Sequence, residues 1–135
     1  MTYPVAIIDG IGPEEAQKLK RIGIRTTAGL LEVAKSPKGR KELAARIGID
    51  EKILLTWANC ADRMRIKGVG DDYSVLIRAA GVDTVRELQH RNAKRLTEAM
   101  RNANAKRKLV DFLPSEKAVA RWIEDAKRLP LKITY

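Results

Sequence analysis

The stretch IDGIG at residues 8–12 returns as IKGVG at residues 66–70, and this repetition governs the interpretation of the whole chain. The same offset of 58 also relates apolar, glycine and threonine positions outside the two pentapeptides. The related pairs are Leu19 and Ile77, Gly23 and Gly81, Ile24 and Val82, Thr26 and Thr84, and Leu30 and Leu88. Matches at one constant offset over this length indicate an internal duplication.

A second repeated block lies near the end of each copy, where Trp57 and its neighbours match Trp122 and its neighbours at an offset of 65. The longer offset predicts seven extra residues in the second copy, between residues 89 and 114. We therefore predict two units, residues 1–64 and residues 65–135, with the second unit docked on the first.

Each unit has the apolar spacing and the capping residues that are typical of α-helices. The expected helix starts are Gly12-Pro13, Thr26, Ser36-Pro37 and Asp50 in the first unit, and Gly70, Thr84, Asn92 and Pro114-Ser115 in the second. In the fourth helix, Ile53, Trp57, Ala61 and Met64 are expected to share the buried face. Only the last five residues, 131–135, alternate apolar and polar side chains. The pattern predicts an all-α fold with a short extended C-terminal tail.

The composition narrows the classes of function. The chain has 135 residues, with 27 Lys and Arg against 17 Asp and Glu, and a formal net charge of +10. This excess favours an anionic partner. One cysteine and one histidine allow no internal disulfide and almost no soft metal ligands. No apolar run reaches the ~18 residues of a membrane span, and no secretory signal is present. We expect a cytoplasmic protein with no metal, cofactor, small-molecule substrate or membrane span.

Two Gly-apolar-Gly tripeptides, Gly10-Ile11-Gly12 and Gly68-Val69-Gly70, each lead directly into a predicted helix. Glycine accepts a positive φ and leaves the backbone uncovered, so such a turn can point free N–H groups outward. Together with the dipole of the following helix, these amides can hold a phosphate oxygen. Such a turn can also serve only as scaffold, or contact another protein.

With their flanking residues, Asp9–Ala16 and Lys67–Gly70, these tripeptides resemble helix-hairpin-helix (HhH) motifs. Over nearly its full length the chain resembles an uncharacterised bacterial HhH family, known as a domain of unknown function. Its pattern includes Ser36–Ala44, Trp57 with Ala61-Asp62, and Leu129-Pro130 with Thr134-Tyr135. The resemblance implies RuvA-like or SAM-domain-like helical units, as in Holliday-junction and repair proteins whose hairpins grip the DNA backbone without reading sequence. It implies no activity.

Acidic residues follow both tripeptides, where phosphate-gripping hairpins have basic or small residues. Glu14 and Glu15 lie in the first turn after Gly12, and Asp71 and Asp72 in the first turn after Gly70. Each stabilises its helix by roughly 0.3–1 kcal/mol but repels a phosphate. Scaffold, nucleic-acid contact and protein contact therefore stay open for these turns.

Positive charge is concentrated between residues 91 and 108, where seven basic side chains stand against Glu98 alone, a net charge of +6. The seven are Arg91, Lys94, Arg95, Arg101, Lys106, Arg107 and Lys108. A second cluster, Lys38, Arg40 and Lys41, is predicted in the first turn of a helix, where cations oppose the dipole. Each cluster fits a solvated surface, a phosphate site, or a contact with an acidic protein or lipid headgroup.

No catalytic arrangement is indicated. Trp57 and Trp122 are expected in the core, and the remaining aromatic residues, Phe112 among them, are too scattered to predict a stacking platform. The leading hypothesis is a non-enzymatic protein that binds nucleic acid, DNA rather than RNA, without sequence preference. The hairpin amides and the two basic clusters would make the contacts. The alternative is a protein-interaction module, including self-assembly into a homo-oligomer.

Overall fold

A computed structural model describes residues 2–135. This part of the chain forms eight α-helices and no β-strand, apart from an isolated bridge between Pro4 and Thr26, so the all-α prediction is confirmed. The chain divides into two compact units. The first unit ends at Arg65 and also includes Lys132–Tyr135, and the second is Ile66–Leu131. The predicted division differs from this one mainly at the tail, which belongs to the first unit.

Four helices follow a short 3-10 turn at Val5–Ile7 in the first unit. They are α1 (Pro13–Arg21), α2 (Thr27–Ala34), α3 (Pro37–Ile47) and α4 (Glu51–Arg63). Helix α4 packs against α2 and α3, and α1 packs against α3. The predicted caps form, because Thr26 and Ser36 accept hydrogen bonds from amides three residues later, at 3.0 Å in each case. Gly48 ends α3 in the left-handed region, with φ +71°.

The second unit repeats this arrangement with α5 (Asp71–Ala79), α6 (Val85–Gln89), α7 (Ala93–Lys106) and α8 (Glu116–Arg128). Helix α8 packs against α6 and α7, and α5 packs against α7. The caps predicted at Thr84, Asn92 and Ser115 each accept from the amide three residues later. The duplicated sequence therefore specifies the same order of helices in both units, and the last helix packs against the two before it in each; α2 also packs against α3, whereas no packing of that extent joins α6 and α7.

Each unit has its own apolar core, and each core contains its tryptophan. Trp57 and Trp122 are 3% and 4% exposed, so their predicted core position is confirmed. The prediction for Ile53 is wrong, because its side chain is 47% exposed and Leu54 is buried instead. Both residues lie within one helical turn of Trp57, and the buried stripe of α4 passes through Leu54.

The extra residues of the second unit lengthen one helix and one loop. Helix α7 has 14 residues against 11 in α3, and the loop that follows it, residues 107–115, replaces residues 48–50 of the first unit. Asn104 fixes this α7–α8 loop from the last turns of α7. Its Oδ1 accepts from the amides of Leu109 at 2.7 Å and Val110 at 3.0 Å, and its Nδ2 donates to the Val110 carbonyl at 3.2 Å.

The C-terminal tail, Lys132–Tyr135, is held on the first unit by backbone and side-chain hydrogen bonds. The Thr134 amide donates to the Lys35 carbonyl at 2.8 Å, and the Tyr135 hydroxyl donates to Asn59 Oδ1 at 3.0 Å. Arg40 Nη2 donates to the Thr134 carbonyl at 2.8 Å. The tail is therefore not helical, as predicted, and is anchored to the first unit.

Candidate functional site

The two Gly-apolar-Gly turns have the same backbone geometry. Gly10 has φ +92° and Gly68 has φ +88°, a conformation that L side chains rarely adopt. Ile11 and Val69 bury their side chains, and each donates its amide to the carbonyl three residues earlier, at 3.0 Å. These two amides were expected to help grip a phosphate. They do not point outward, because each already donates to a carbonyl within its own turn.

The second glycine of each turn is the N-cap of the following helix, and the two corners differ in what surrounds them. Neither Gly12 nor Gly70 has a side chain to cap its helix. Both carboxylate oxygens of Glu15 lie 3.4 Å from where a Cβ on Gly12 would stand. Nothing comparable lies within 4 Å of that position on Gly70, in the part of the chain described. The turn of the second unit is therefore the more open one, although Asp71 and Asp72 follow it.

In the first unit, the cluster predicted at the start of α3 offers two accessible cations instead of three. Lys38 and Lys41 are exposed, whereas Arg40 is 6% exposed. Arg40 Nη1 donates to the Ala34 carbonyl at 2.9 Å while Nη2 holds the tail, and burial lowers the pKa of its guanidinium. Arg40 therefore satisfies backbone carbonyls inside the first unit, which corrects its predicted place on a phosphate-binding surface.

In the second unit, the basic residues of α7 lie on its exposed side. Leu96 and Met100 are buried, whereas the side chains across the helix from them are exposed. The helical period places Lys94 and Arg101, seven residues apart, in one row. We define the α7 basic surface as the exposed cations of α7 with the two that follow its last residue: Lys94, Arg95, Arg101, Lys106, Arg107 and Lys108. Arg91, the remaining predicted residue, is half-buried and precedes the N-cap of α7.

Most cations of the α7 basic surface form no ion pair within the part of the chain that the structure describes. Within residues 2–135, Lys108 is the member that forms an ion pair, at 3.3 Å from Asp111, and both side chains are exposed. An exposed pair of this kind contributes at most about 1 kcal/mol and exchanges readily with solvent ions. The surface can therefore attract an anionic ligand without first breaking strong internal pairs.

A shallow cleft of about 290 Å³ lies beside this surface, between α7 and the start of α8. Its lining residues are Lys94, Thr97, Glu98, Arg101, Pro114, Ser115 and Glu116. The two cations and the first turn of α8 favour an anion there, whereas the carboxylates of Glu98 and Glu116 oppose one. The cleft is thus suited to a single polar contact at the edge of the basic surface.

The structure also reveals exposed residues that sequence reasoning set aside. Phe112 is 81% exposed and Leu113 is 42% exposed, both in the α7–α8 loop. Phe112 was set aside because the aromatic residues are scattered along the chain. Its position in the region that holds the seven extra residues could have indicated a separate role. The loop that contains this insertion adds Val110 to the second core, whereas Phe112 and Leu113 stay outside it.

A buried polar cluster near the end of α4 was also missed. Asn59, Asp62 and Arg63 are between 1% and 4% exposed. Arg65 donates Nε and Nη2 to Asp62 Oδ1, both at 2.6 Å. Burial nevertheless raises the pKa of Asp62, with the charge of Arg65 opposing that shift. The sequence gives no local signal for this burial, because the buried face of α4 was assigned to apolar residues and polar side chains on a helix are more often exposed.

The chemistry available to the described residues is limited in two respects. Residues 2–135 contain no group of three or more His, Cys, Asp or Glu that could hold a metal ion. No helix in the same part of the chain is long and apolar enough to cross a membrane.

Comparison with known proteins places the chain in a family without assigning an activity. No curated protein and no solved structure matches it. A family model described as "Domain of unknown function (DUF4332)" matches residues 9–129. This span includes all eight helices and the glycines of both turns. Because the match extends over well above half of the chain, the protein belongs to this family of domains of unknown function, DUF4332.

Proposed function

We propose that this protein binds nucleic acid without sequence preference and without catalysis, and that the α7 basic surface makes the contacts. The observation that carries the proposal is the set of six exposed cations along α7 and its C-terminal extension, of which Lys108 alone is paired within residues 2–135. A phosphate backbone is the ligand that uses such a row of charges most fully, because each neutralised phosphate releases counterions.

The lack of sequence preference follows from the side chains involved. Lys and Arg on one helix face reach phosphates by charge and by hydrogen bonding, and phosphate contacts position a protein without reading bases. In this proposal the two units are helix-hairpin-helix, RuvA-like units, and the turn at Gly68–Gly70 adds a backbone contact. Its support is the open corner at Gly70, and the resemblance favours DNA over RNA. The single cysteine favours a cytoplasmic location.

The test is a salt titration with labelled single-stranded and double-stranded DNA and RNA. Replacing Arg101, Lys106, Arg107 and Lys108 by Gln should weaken binding and reduce the slope of log K against log salt. Each phosphate of duplex DNA that the variant no longer neutralises should change that slope by about 0.9. No binding by the unmodified protein at low salt would refute the proposal.

A matched control removes the same charge from elsewhere in the second unit. Arg86, Arg121, Lys127 and Arg128 are exposed and lie outside the α7 basic surface. Their replacement by Gln lowers the net charge by the same amount and should change the slope less. Equal effects of the two quadruple variants would show that net charge, and not this surface, determines affinity.

A second candidate function is a self-assembling protein-interaction module. The observation that favours it is the acidic first turns, since the Glu14 side chain is 82% exposed and Asp72 is exposed. An acidic turn of one molecule against the α7 basic surface of another would give a head-to-tail contact. Sedimentation at low and high salt distinguishes the two functions. A salt-sensitive oligomer without nucleic-acid affinity supports assembly, and a monomer throughout refutes it.

A further inference from the structure

We infer that Phe112 stacks on an unpaired base, so that the ligand of the α7 basic surface is single-stranded or locally unpaired nucleic acid. This inference rests on the proposed function and adds the ligand class to it. Phe112 is the most exposed large hydrophobic side chain in residues 2–135, at 81%. Its ring is left in water, in contrast to Trp57 and Trp122, which are buried in the two cores.

The loop that carries Phe112 is held by hydrogen bonds just before Phe112 and at Phe112 itself. Asn104 binds the backbone of Leu109 and Val110 through three hydrogen bonds. The Tyr73 hydroxyl donates to the carbonyl of Phe112 itself at 3.0 Å. The Tyr73 ring in turn packs on Trp122, with centroids 5.3 Å apart. A ring presented on such a backbone loses little conformational freedom when a ligand stacks on it.

Three cations precede Phe112 in the chain, and the exposed Asp111 beside it pairs with one of them, Lys108. These cations are Lys106, Arg107 and Lys108, and the last of them lies four residues before Phe112. On the other side, Pro114 lies two residues after Phe112 and lines the cleft that Lys94 and Arg101 also line. Proteins that bind single strands combine a cationic path for the backbone with aromatic rings for the bases. In a regular duplex the bases are already stacked on one another, so the ring gains a partner only where a base is free.

The charges around Phe112 also distinguish this ligand from other apolar partners. A membrane surface is bound by a helix with an extended apolar face, whereas Leu96 and Met100, the apolar residues of α7, are buried. Leu113 adds a second apolar side chain, 42% exposed, which is little for a protein interface core. One ring among cations matches a nucleotide, which offers one base and one phosphate.

The experiment compares Phe112→Ala and Phe112→Trp with the unmodified full chain. The probes are a fluorescein-labelled oligo(dT) and a labelled duplex of the same length, and Leu131→Ala, at an exposed position of the same unit, is the control. Phe112→Ala should weaken oligo(dT) binding roughly 5- to 100-fold and duplex binding less than about 2-fold. Phe112→Trp should retain oligo(dT) affinity, and oligo(dT) should quench its added fluorescence.

The outcomes separate this inference from the function on which it rests. If the unmodified protein binds neither probe, the proposed function fails and the inference fails with it. If it binds both and Phe112→Ala changes neither affinity, or both equally, the inference is overturned while the proposed function stands. Weaker binding of Phe112→Ala to anionic phospholipid vesicles, with oligo(dT) binding unchanged, would assign Phe112 to a membrane surface and also overturn it. Unchanged helical circular dichroism shows that the variants fold.

Discussion

The two units have the same order of helices, with side-chain caps at equivalent helix starts, but they differ in how many charged residues are buried. The first unit, with its tail, has 13 basic and 8 acidic residues, and the second has 14 and 9, so the net charge is +5 in each. The first unit buries Arg40, Asp62 and Arg63. Every Lys and Arg of the second unit is exposed, except the half-buried Arg91. Exposure, and not net charge, therefore distinguishes the units.

Equivalent positions make this difference specific. At the offset of 65, the buried residues Asn59, Asp62 and Arg63 correspond to Glu124, Lys127 and Arg128, all of which are exposed. Buried charged groups must be satisfied within the protein, so they are committed to structure. Exposed groups remain available to a ligand. The buried charges of the first unit therefore serve its structure, and the exposed charges of α7 are those that the proposed function uses.

The largest expected effect is the loss of a buried carboxylate. Asp62→Ala removes the carboxylate that Arg65 contacts at 2.6 Å, which is also a counter-charge of the buried Arg63. Breaking a buried pair by removing one partner costs about 3–5 kcal/mol, so the free energy of unfolding in urea should fall by that amount. Lys127→Ala, at the equivalent position of the second unit, should change it by less than about 0.5 kcal/mol. Similar losses in both variants would remove the distinction between the units.

A smaller decrease in the free energy of unfolding is expected when Arg40, which holds the tail, is replaced. Arg40 and Leu96 both lie four residues after the N-cap of their helices and both are buried, so this is a core position in each unit. Arg40→Met keeps an apolar stem but leaves the Ala34 and Thr134 carbonyls without their donor. We expect the free energy of unfolding to fall by about 1.5–3 kcal/mol, which is the range for hydrogen bonds to charged groups.

Hydrogen exchange tests whether that loss involves the tail. The Thr134 amide, which donates to Lys35, should exchange faster in Arg40→Met. Arg95→Met replaces an exposed arginine in the first turn of the corresponding helix and should leave both stability and Thr134 exchange unchanged. If Thr134 exchange is also unchanged in Arg40→Met, the tail is held without the guanidinium.

The glycine turns provide a case in which the two units should behave alike. A Cβ on Gly10 would lie 3.4 Å from Trp57 Nε1, and one on Gly68 would lie 3.3 Å from Trp122 Nε1. The positive φ adds a cost of about 1–2 kcal/mol for any L side chain. Gly10→Ala and Gly68→Ala should therefore lower the free energy of thermal unfolding by similar amounts, at least about 1 kcal/mol each. Gly70→Ala should lower the free energy of unfolding less, because within residues 2–135 no heavy atom beyond the two neighbouring residues lies within 4 Å of the added Cβ, and φ is −89°.

Much of this fold was predictable from local sequence because its signals are short-range. Caps at Thr26, Ser36, Thr84 and Asn92 determine helix starts through hydrogen bonds to amides three residues later. Because the sequence repeats, a helix start identified in one unit predicts a helix start at the matching position of the other. The concentration of basic residues between residues 91 and 108 was also visible in the sequence, whereas their exposure along α7 was seen only in the structure.

What the sequence did not predict depends on contacts between distant residues. Arg40 looks like an ordinary surface cation until the carbonyl of Thr134, 94 residues away, is placed beside it. The burial of Asp62 and the return of the tail to Asn59 depend on tertiary packing in the same way. The open position of Phe112 depends on Asn104 and Tyr73, which hold its loop. None of these relations has a fixed spacing in the chain.

The smallest expected effect is a pH dependence that arises from Asp62 in the first unit. Burial is the largest influence on Asp62 and raises its pKa, while Arg65 only partly opposes it. Folding therefore favours the protonated carboxyl. The stabilisation is present below the ordinary pKa of 3.8 and is lost as the pH rises through the higher pKa of the folded state.

Asp62→Asn isolates this contribution, because the amide keeps an acceptor for Arg65 but does not titrate. The free energy of unfolding of the unmodified protein minus that of Asp62→Asn should decrease as the pH is raised from about 3 to about 7. Lys127→Gln should change the pH profile in this range much less, because it removes only an exposed pair with Glu124. A difference that increases with pH would mean that the ion pair with Arg65 outweighs burial. Asp62 would then stabilise the first unit through its charge, and the contrast with the exposed charges of α8 would rest on pairing rather than on burial.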